Sequence, residues 1–338
     1  MISPELPDHP IFICGHPKAG TSLLRAVFDS HPQLIAYPEE SMFFRRFLPR
    51  AQGLDLDGQL ELADQLLIHI FTWNRQNPPA SQAGFPDRDY SAISYQAVRQ
   101  AMRDWLATRL TADPGVLNAG DILCAAVLAY GQVSSQITDQ TRYWIEKSPY
   151  NEYYAGQIFA WWPEARCIHI VRDPRDNYVS YRRKHSSWGA EFFAANWQRS
   201  TQAGMRNQEN FGAWRYLLLR YEDLAQAPEK TLHQMVEFLQ IEWSPSLADP
   251  TRAGEQWQGN SMFANQFQSI SAAPVGRWKE SLSPQEAAVI EIKNRFLMEA
   301  WQYPTQASQQ FIPALAARLR LLAWPLRRKF IPRQPAAE

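Results

Sequence analysis

The sequence contains little cysteine and no excess of charge of either sign. Three cysteines occur in 338 residues, and Cys14, Cys124 and Cys167 lie far apart in apolar surroundings without C-x-x-C spacing. This pattern argues against a disulfide framework or a zinc site, and it predicts buried free thiols in a reducing compartment. The formal net charge is zero, from 34 basic and 34 acidic residues. Balanced charge removes the general electrostatic basis for binding nucleic acid, so no nucleic-acid partner is expected.

Long apolar runs and common hydrolase motifs are also missing. No run approaches the roughly 18 apolar residues that span a bilayer, and residues 1–10 contain neither a basic leader nor an apolar h-region. These features predict a cytoplasmic protein. The sequence has no G-x-S-x-G and no H-E-x-x-H, and its histidines are scattered without ligand spacing, so no metal site is predicted.

The length and apolar content indicate one elaborated domain over residues 1–338. A chain with 45% hydrophobic residues can bury one substantial core. Residues 41–140 alternate helical patterns with proline-bearing breaks such as 76–86, which predicts a helical insertion that caps the substrate site. Residues 305–338 form a basic C-terminal tail, with Pro325 expected to break or kink any single helix there.

Four short apolar segments are candidate strands. They are residues 11–14, 143–145, 167–171 and 216–219, and the segments between them are long enough for helices. Such spacing favours βαβ crossovers. The predicted fold class is therefore α/β, a three-layer α/β/α arrangement around a central parallel sheet.

The first apolar segment leads into a loop suited to an anion. Gly15 and Gly20 allow a tight turn, and the helical pattern that follows places backbone N–H groups at its start. ATP-type loops have the order G-x4-G-K-[ST], with lysine directly after the second glycine. Here Lys18 precedes Gly20, and Thr21 and Ser22 follow it.

This order resembles the 5′-phosphosulfate loop of sulfotransferases that use 3′-phosphoadenosine 5′-phosphosulfate (PAPS), in which lysine or arginine precedes a G-T-[ST] triplet. The resemblance spans about residues 9–304 and implies a P-loop-like sulfotransferase fold. It implies that PAPS is the co-substrate and that its 5′ side is bound by Lys18, Ala19, Gly20, Thr21 and Ser22. Lys18 would also stabilise negative charge on the bridging oxygen during transfer.

A second segment predicts an arginine at the edge of the sheet. Arg172 directly follows a candidate strand, and Asp173-Pro174 provides an N-cap and first residue for a helix. Ligands of parallel sheets bind at that edge, where a guanidinium can bind phosphate in a bidentate manner. Arg172 followed by Ser180 resembles the 3′-phosphate segment of the same family, which implies that both bind that phosphate.

Two later segments extend the resemblance. Residues 219–224 are similar to the family's [RY]-Y-E-D-L segment, so Tyr221 is implied to contact the purine or the 3′-phosphate region. Residues 275–279 resemble the family's G-x-W-[KR] segment, which implies binding by Gly276, Arg277, Trp278 and Lys279, although tryptophan there also suits a core packing role.

The general base is implied by residues 31–41, which resemble the tyrosylprotein and bacterial branches of the family. A glutamate soon after the loop helix is the base in those branches, and spacing favours Glu39, with Glu40 the alternative. Both glutamates could instead cap the next helix. Lys147 resembles a second lysine that orients the base and the sulfonate, but it could also be a surface lysine at a strand end.

The implied activity is transfer of a sulfuryl group from PAPS to a hydroxyl or amine of a small-molecule, lipid or carbohydrate acceptor. No metal is implied, because lysine and arginine supply the positive charge. Two alternatives remain: a P-loop-type nucleotide-dependent kinase, and a non-catalytic member that binds nucleotide or a membrane surface. The basic tail either contacts an anionic membrane or a partner, or packs on the body of the domain.

Overall fold

A computed structural model describes residues 6–76, 88–112, 117–183, 185–259 and 269–328. Five strands of this part form one parallel sheet in the order β2-β3-β1-β4-β5. These strands are β1 Pro10–Cys14, β2 Leu34–Ala36, β3 Tyr143–Lys147, β4 Arg166–Val171 and β5 Tyr216–Arg220. The predicted α/β fold with a central parallel sheet is confirmed, and so are the four predicted strands. The sequence analysis did not predict β2.

Helices occupy most of the remaining described chain. The α-helices are α1 Thr21–Phe28, α2 Leu48–Ala51, α3 Leu56–Leu66, α4 Tyr95–Ala112, α5 Ala119–Val133, α6 Ala155–Trp161, α7 Pro174–Arg182, α8 Ala190–Phe211, α9 Tyr221–Gln226, α10 Pro228–Leu239, α11 Trp278–Ser281, α12 Pro284–Ala300 and α13 Phe311–Arg328. A π-helix covers Phe43–Phe47, and a short antiparallel hairpin pairs β6 Thr251–Arg252 with β7 Glu255–Gln256. No helix in the described ranges has the length and apolar content needed to cross a bilayer.

The two faces of the sheet are covered by different helices because strand side chains alternate in direction. Phe12 and Trp144 point into a cluster shared with α4, α5 and the segment 43–71. Ile11 and Ile145 point into a second cluster shared with α1 and α10. A third cluster, built from α7, α8, α12 and α13, flanks the end of β4. The result is a three-layer arrangement in which all three cysteines are buried and free.

The predicted insertion and tail are helical where the structure describes them. Residues 41–140 contain helices and no strand in their described part, while most of the predicted break at 76–86 lies outside the described residues. Helix α13 passes through Pro325 to Arg328, so the proline does not end it. The remaining tail, including Lys329 and Arg333, also lies outside the described residues.

Parallel pairing places the carboxyl ends of all five strands at one edge of the sheet. The chain leaves β1 towards β2 on one side and leaves β4 towards β5 on the other. The connections therefore diverge between β1 and β4, which is where open α/β sheets form a ligand crevice.

Candidate active site

The loop between β1 and α1 is shaped by two glycines with positive φ. Gly15 has a φ of 136° and Gly20 a φ of 118°. A Cβ atom on Gly15 would lie 2.5 Å from the carbonyl oxygen of Ile170, and one on Gly20 would lie 2.7 Å from Cδ2 of Tyr221. Both contacts are too close for any side chain. The backbone of the loop therefore packs closely against the end of β4 and the ring of Tyr221.

The remaining predicted loop residues lie around this turn. Lys18 has a left-handed φ of 67°. The N–H of Ala19 donates to the carbonyl of His16 at 3.0 Å, and Ala19 is fully buried. Thr21 and Ser22 begin α1 and place the first N–H groups of that helix at the sheet edge.

Gly20→Ala is expected to destabilise the protein by about 3 kcal/mol, because a strained backbone adds to a clash with Tyr221. Gly53→Ala is the matched control. Gly53 also has a positive φ, of 83°, but no atom lies within 4 Å of the Cβ site. It should therefore cost only about 1 kcal/mol of backbone strain. Urea unfolding of the two variants measures the difference, and equal losses would contradict the close packing of Tyr221 on the loop.

Arg172 connects the segments predicted to bind the two ends of the nucleotide. One terminal nitrogen donates to the carbonyl of Lys18 at 3.2 Å and to Oγ of Ser180 at 3.3 Å. The other donates to the carbonyl of Pro274 at 3.1 Å. The guanidinium carbon lies 4.4 Å from the ring centroid of Tyr221. Within the described chain its buried Nε has no hydrogen-bond partner, so the side chain retains a donor for a ligand.

The late loop is held on α7 by Asp176. Its carboxylate accepts the backbone N–H of Gly276 at 2.6 Å and that of Trp278 at 2.8 Å. The ring of Trp278 is buried, with the guanidinium carbon of Arg175 lying 4.0 Å from its centroid. Trp278 is therefore a packing residue that fixes the loop. Burial lowers the pKa of Arg277, and the positive charge of Arg172 lowers it further.

Arg277 and Arg172 thus lie close enough to interact electrostatically, whereas Lys279 is exposed on α11. Gly276 is thus held beside α7 and Arg277 lies near Arg172, while a role of Lys279 in binding the nucleotide stays a prediction. No local motif in the sequence marks Asp176 for this role. Its two partners lie 100 and 102 residues further along the chain, so no local spacing could reveal them.

The other half of the site lies at the end of β3. The ammonium group of Lys147 donates to Oγ of Ser22 at 3.1 Å and to Oε1 of Glu40 at 2.6 Å. The Lys147 side chain is 4% exposed, which excludes the surface-lysine interpretation, and that of Glu40 is 41% exposed. Burial lowers the pKa of Lys147, and the carboxylate of Glu40 opposes that shift. Ser22 therefore links the anion loop to Lys147 and Glu40.

Glu39 has a different environment from its neighbour. It is 6% exposed, and its Oε1 accepts from the hydroxyl of Tyr90 at 2.8 Å. The same oxygen is paired with Nε of Arg88 at 2.9 Å and with a terminal nitrogen of Arg252 at 2.8 Å. Glu39 is thus enclosed by two guanidinium groups, and it ties the hairpin β6-β7 to the end of β2.

A buried carboxylate on β3, next to Lys147 in the chain, fixes the segment that carries Glu40. Glu146 accepts from the hydroxyls of Ser41 and Ser148, each at 2.6 Å, and from the amide of Asn151 at 2.7 Å. Burial raises the pKa of Glu146, while these three hydrogen bonds oppose the rise. The N–H of Met42 also donates to Oγ of Ser148 at 2.8 Å. The backbone after Glu40 is therefore bound to the end of β3.

The aromatic residues of the insertion belong to the core cluster that they share with the sheet and α6. Phe43, Phe44, Phe47 and Phe71 are buried in the core cluster, and Trp73 and Trp105 pack against it. A largely apolar cavity of about 730 Å³ lies beside Phe44 in the insertion. Its lining residues are Phe44, Leu48, Pro49, Ala51, Gln52, Gly53, Leu56, Gln59, Leu110, Leu117, Asn118, Ala119, Ile122 and Tyr154.

Comparison with protein-family models gives a match over residues 10–245 to the model described as "Sulfotransferase family". Similar curated proteins include protein-tyrosine sulfotransferase 2 of Gallus gallus, 23% identical over 246 residues that make up 70% of this chain and 52% of the relative. Protein-tyrosine sulfotransferase A of Caenorhabditis elegans is 23% identical over 69% of this chain and 50% of its own. The chain thus spans about half the length of these relatives.

Similar solved structures include the sulfotransferase domain of the Synechococcus PCC 7002 olefin synthase. It has a TM-score of 0.58 and 22% identity, with 89% of this chain and 97% of that chain covered. The sulfotransferase domain from the curacin biosynthetic pathway has a TM-score of 0.53 and 17% identity. The match covers 88% of this chain and 99% of that chain. At these identities the similarity demonstrates the shared fold.

Proposed function

Because this chain belongs to the sulfotransferase family, we propose that its sulfuryl donor is PAPS and that its acceptor presents a hydroxyl or an amine. The observation that carries this proposal is the position of Arg172. Its guanidinium contacts the anion loop, Ser180 and the ring of Tyr221 at once. PAPS carries phosphate groups on the 3′ and 5′ oxygens of its adenosine. The 3′-phosphate would contact Arg172 and Ser180, and the 5′ group would lie in the loop that Arg172 also contacts.

The residues around the crevice fit such a donor. Lys18, Ala19, Gly20, Thr21 and Ser22 would bind its 5′ side through backbone N–H groups and the Lys18 charge. Arg172 and Ser180 would bind the 3′-phosphate, the Nε of Arg172 being a buried donor with no partner in the described chain. Tyr221 would contact the purine side, and Arg277 would add charge from the late loop. When bound, PAPS supplies the sulfuryl group and departs as adenosine 3′,5′-bisphosphate.

We assign the general base to Glu40 in preference to Glu39. A base must reach a proton on the acceptor, and the Glu40 carboxylate is accessible beside the loop, whereas Glu39 is enclosed by two arginines. Lys147 donates to Oε1 of Glu40 and to Ser22. It therefore orients the base against the start of α1. Lys18 supplies positive charge where negative charge develops during transfer.

The acceptor is proposed to be a small-molecule, lipid or carbohydrate hydroxyl or amine. The insertion contains the apolar cavity beside Phe44, but none of the proposed catalytic residues lines it, so the acceptor class is left to the labelling experiment. The helical insertion would cap that acceptor. The relatives named protein-tyrosine sulfotransferases make a peptide tyrosine the second class to test.

Incubation of the purified protein with ³⁵S-labelled PAPS and a panel of acceptors tests the activity directly. The panel should contain small alcohols, amines, lipids, carbohydrates and a tyrosine peptide. Labelling of a hydroxyl or amine compound supports the proposal. Labelling of the tyrosine peptide alone would identify peptide tyrosine as the acceptor. If no acceptor is labelled, the result counts against sulfuryl transfer by this protein.

Nucleotide preference separates this proposal from a nucleotide-dependent kinase. Calorimetry is expected to give a Kd for adenosine 3′,5′-bisphosphate about 100-fold lower than for ADP, because two charge-assisted hydrogen bonds to a 3′-phosphate are worth about 3 kcal/mol. Arg172→Lys is the matched variant. It retains the charge but loses the bidentate geometry, and should lose most of that preference. Tighter binding of ADP with Mg²⁺ would favour the kinase.

A further inference from the structure

The outer face of the C-terminal helices carries a concentrated apolar surface. Six large apolar side chains there are between 48% and 82% exposed, and they make up more than half of the eleven such exposed side chains in the described ranges. We call this set the apolar strip. It consists of Phe296, Phe311, Ile312, Leu315, Leu319 and Leu322. Exposed apolar patches of this kind mark surfaces that bind a partner or a membrane.

Five members of the strip lie on α13, and the opposite face of that helix fixes it to the domain. Leu315, Leu319 and Leu322 recur at intervals of four and three residues, which is the spacing of one helical face. Ala314 and Ala317 are buried against the third core cluster or beside it. The guanidinium of Arg320 is paired with the carboxylate of Glu191 on α8 at 2.8 Å. The strip therefore points away from the body on an ordered helix.

Basic residues accompany the strip. The segment from Phe311 to Arg333 contains six basic residues and no acidic residue. Arg318 is exposed next to Leu319, and α12 adds exposed Arg295 beside Phe296, with Glu299 as an exposed acid one turn further. An amphipathic helix with large apolar residues and basic neighbours has the composition of helices that lie in a membrane interface.

The positive charge of α13 also distinguishes between a second copy of this chain and a lipid bilayer as the partner of the apolar strip. Two copies of this chain packed strip to strip would bring together α13 helices that carry four basic residues each and no acid of their own, and of these four Arg320 is paired with Glu191. An anionic bilayer complements both properties at once, because its headgroups attract the arginines while its acyl boundary receives the apolar side chains. We propose that α13 docks the protein on an anionic lipid bilayer, with the apolar strip buried at the headgroup boundary.

Co-flotation of the full chain with vesicles tests this proposal. Phosphatidylcholine vesicles containing phosphatidylglycerol should bind the protein, and vesicles of phosphatidylcholine alone should bind it much more weakly. The triple variant Leu315→Ser, Leu319→Ser, Leu322→Ser is expected to lower the partition coefficient at least about 100-fold. Arg318→Gln should lower it about fivefold on anionic vesicles and leave it unchanged on neutral ones, since each surface basic residue contributes about that factor.

Leu54→Ser is the matched control, because Leu54 is another exposed leucine, 41% accessible and outside the strip. It should bind vesicles like the unaltered protein. Circular dichroism of each variant checks that the fold is retained. Absence of vesicle binding, or equal binding by the triple variant and the control, would overturn the proposal. So would a dimer in light scattering that the triple variant dissociates without any vesicle binding, since the strip would then join two copies.

Discussion

Glu40→Gln is expected to lower kcat for sulfuryl transfer about 1,000-fold, within the range that removal of a general base produces. The amide is nearly isosteric with the carboxylate but cannot take a proton from the acceptor. Lys147 retains an oxygen acceptor in place of Oε1 of Glu40, so the fold and the binding of adenosine 3′,5′-bisphosphate should be preserved. Single-turnover kinetics with saturating PAPS measure the chemical step.

Glu39→Gln provides the contrast that identifies the base. It removes the charge that neutralises Arg88 and Arg252 in a buried cluster. Breaking a buried ion pair in this way costs about 3–5 kcal/mol of stability. We therefore expect Glu39→Gln to unfold at markedly lower urea concentration while the folded fraction keeps most of its kcat. A large loss of kcat in folded Glu39→Gln together with normal turnover in Glu40→Gln would reverse the assignment.

Lys18→Ala is expected to lower kcat about 100- to 1,000-fold, which is the usual effect of removing one group that stabilises developing negative charge. The backbone carbonyl of Lys18, which accepts from Arg172 at 3.2 Å, remains in this variant. Because the Lys18 charge also contributes to binding the 5′ side of the nucleotide, the Kd of adenosine 3′,5′-bisphosphate should rise, but by a smaller factor than kcat falls. The measurement is kcat against a calorimetric Kd for that product.

Two further substitutions separate the side chain of Lys18 from its backbone. Lys18 has a φ of 67°, a conformation that glycine adopts without strain. Lys18→Gly should be at least as stable as Lys18→Ala and equally inactive. Lys18→Arg keeps a positive charge and should retain much of the turnover. Normal kcat in Lys18→Gly would remove this side chain from the reaction.

The elements predictable from sequence were those with a strong local pattern. The four predicted strands are apolar runs, and the anion loop has glycines whose positive φ the fold requires. Strand β2 escaped prediction because its three residues, Leu34–Ala36, form a very short apolar run between Pro32 and Pro38. Three residues are too few for a period to be measured.

Spacing alone could not distinguish Glu39 from Glu40. Consecutive side chains leave the backbone in different directions, and the direction is set by partners distant in sequence. Arg252, which pairs with Glu39, lies 213 residues away, and Lys147, which pairs with Glu40, lies 107 residues away. The continuation of α13 for three residues past Pro325 likewise departs from the local expectation, since a proline ordinarily interrupts helical hydrogen bonds.

The attachment of the late loop to Asp176 has an evolutionary implication. The carboxylate holds the amide hydrogens of positions 276 and 278, which every amino acid except proline possesses. The location of this loop is therefore set by a carboxylate of α7 that binds backbone groups, together with the packing of Trp278. Substitutions at neighbouring positions such as 277 and 279 would therefore change the side chains offered to a ligand while the loop keeps its position beside the crevice between β1 and β4.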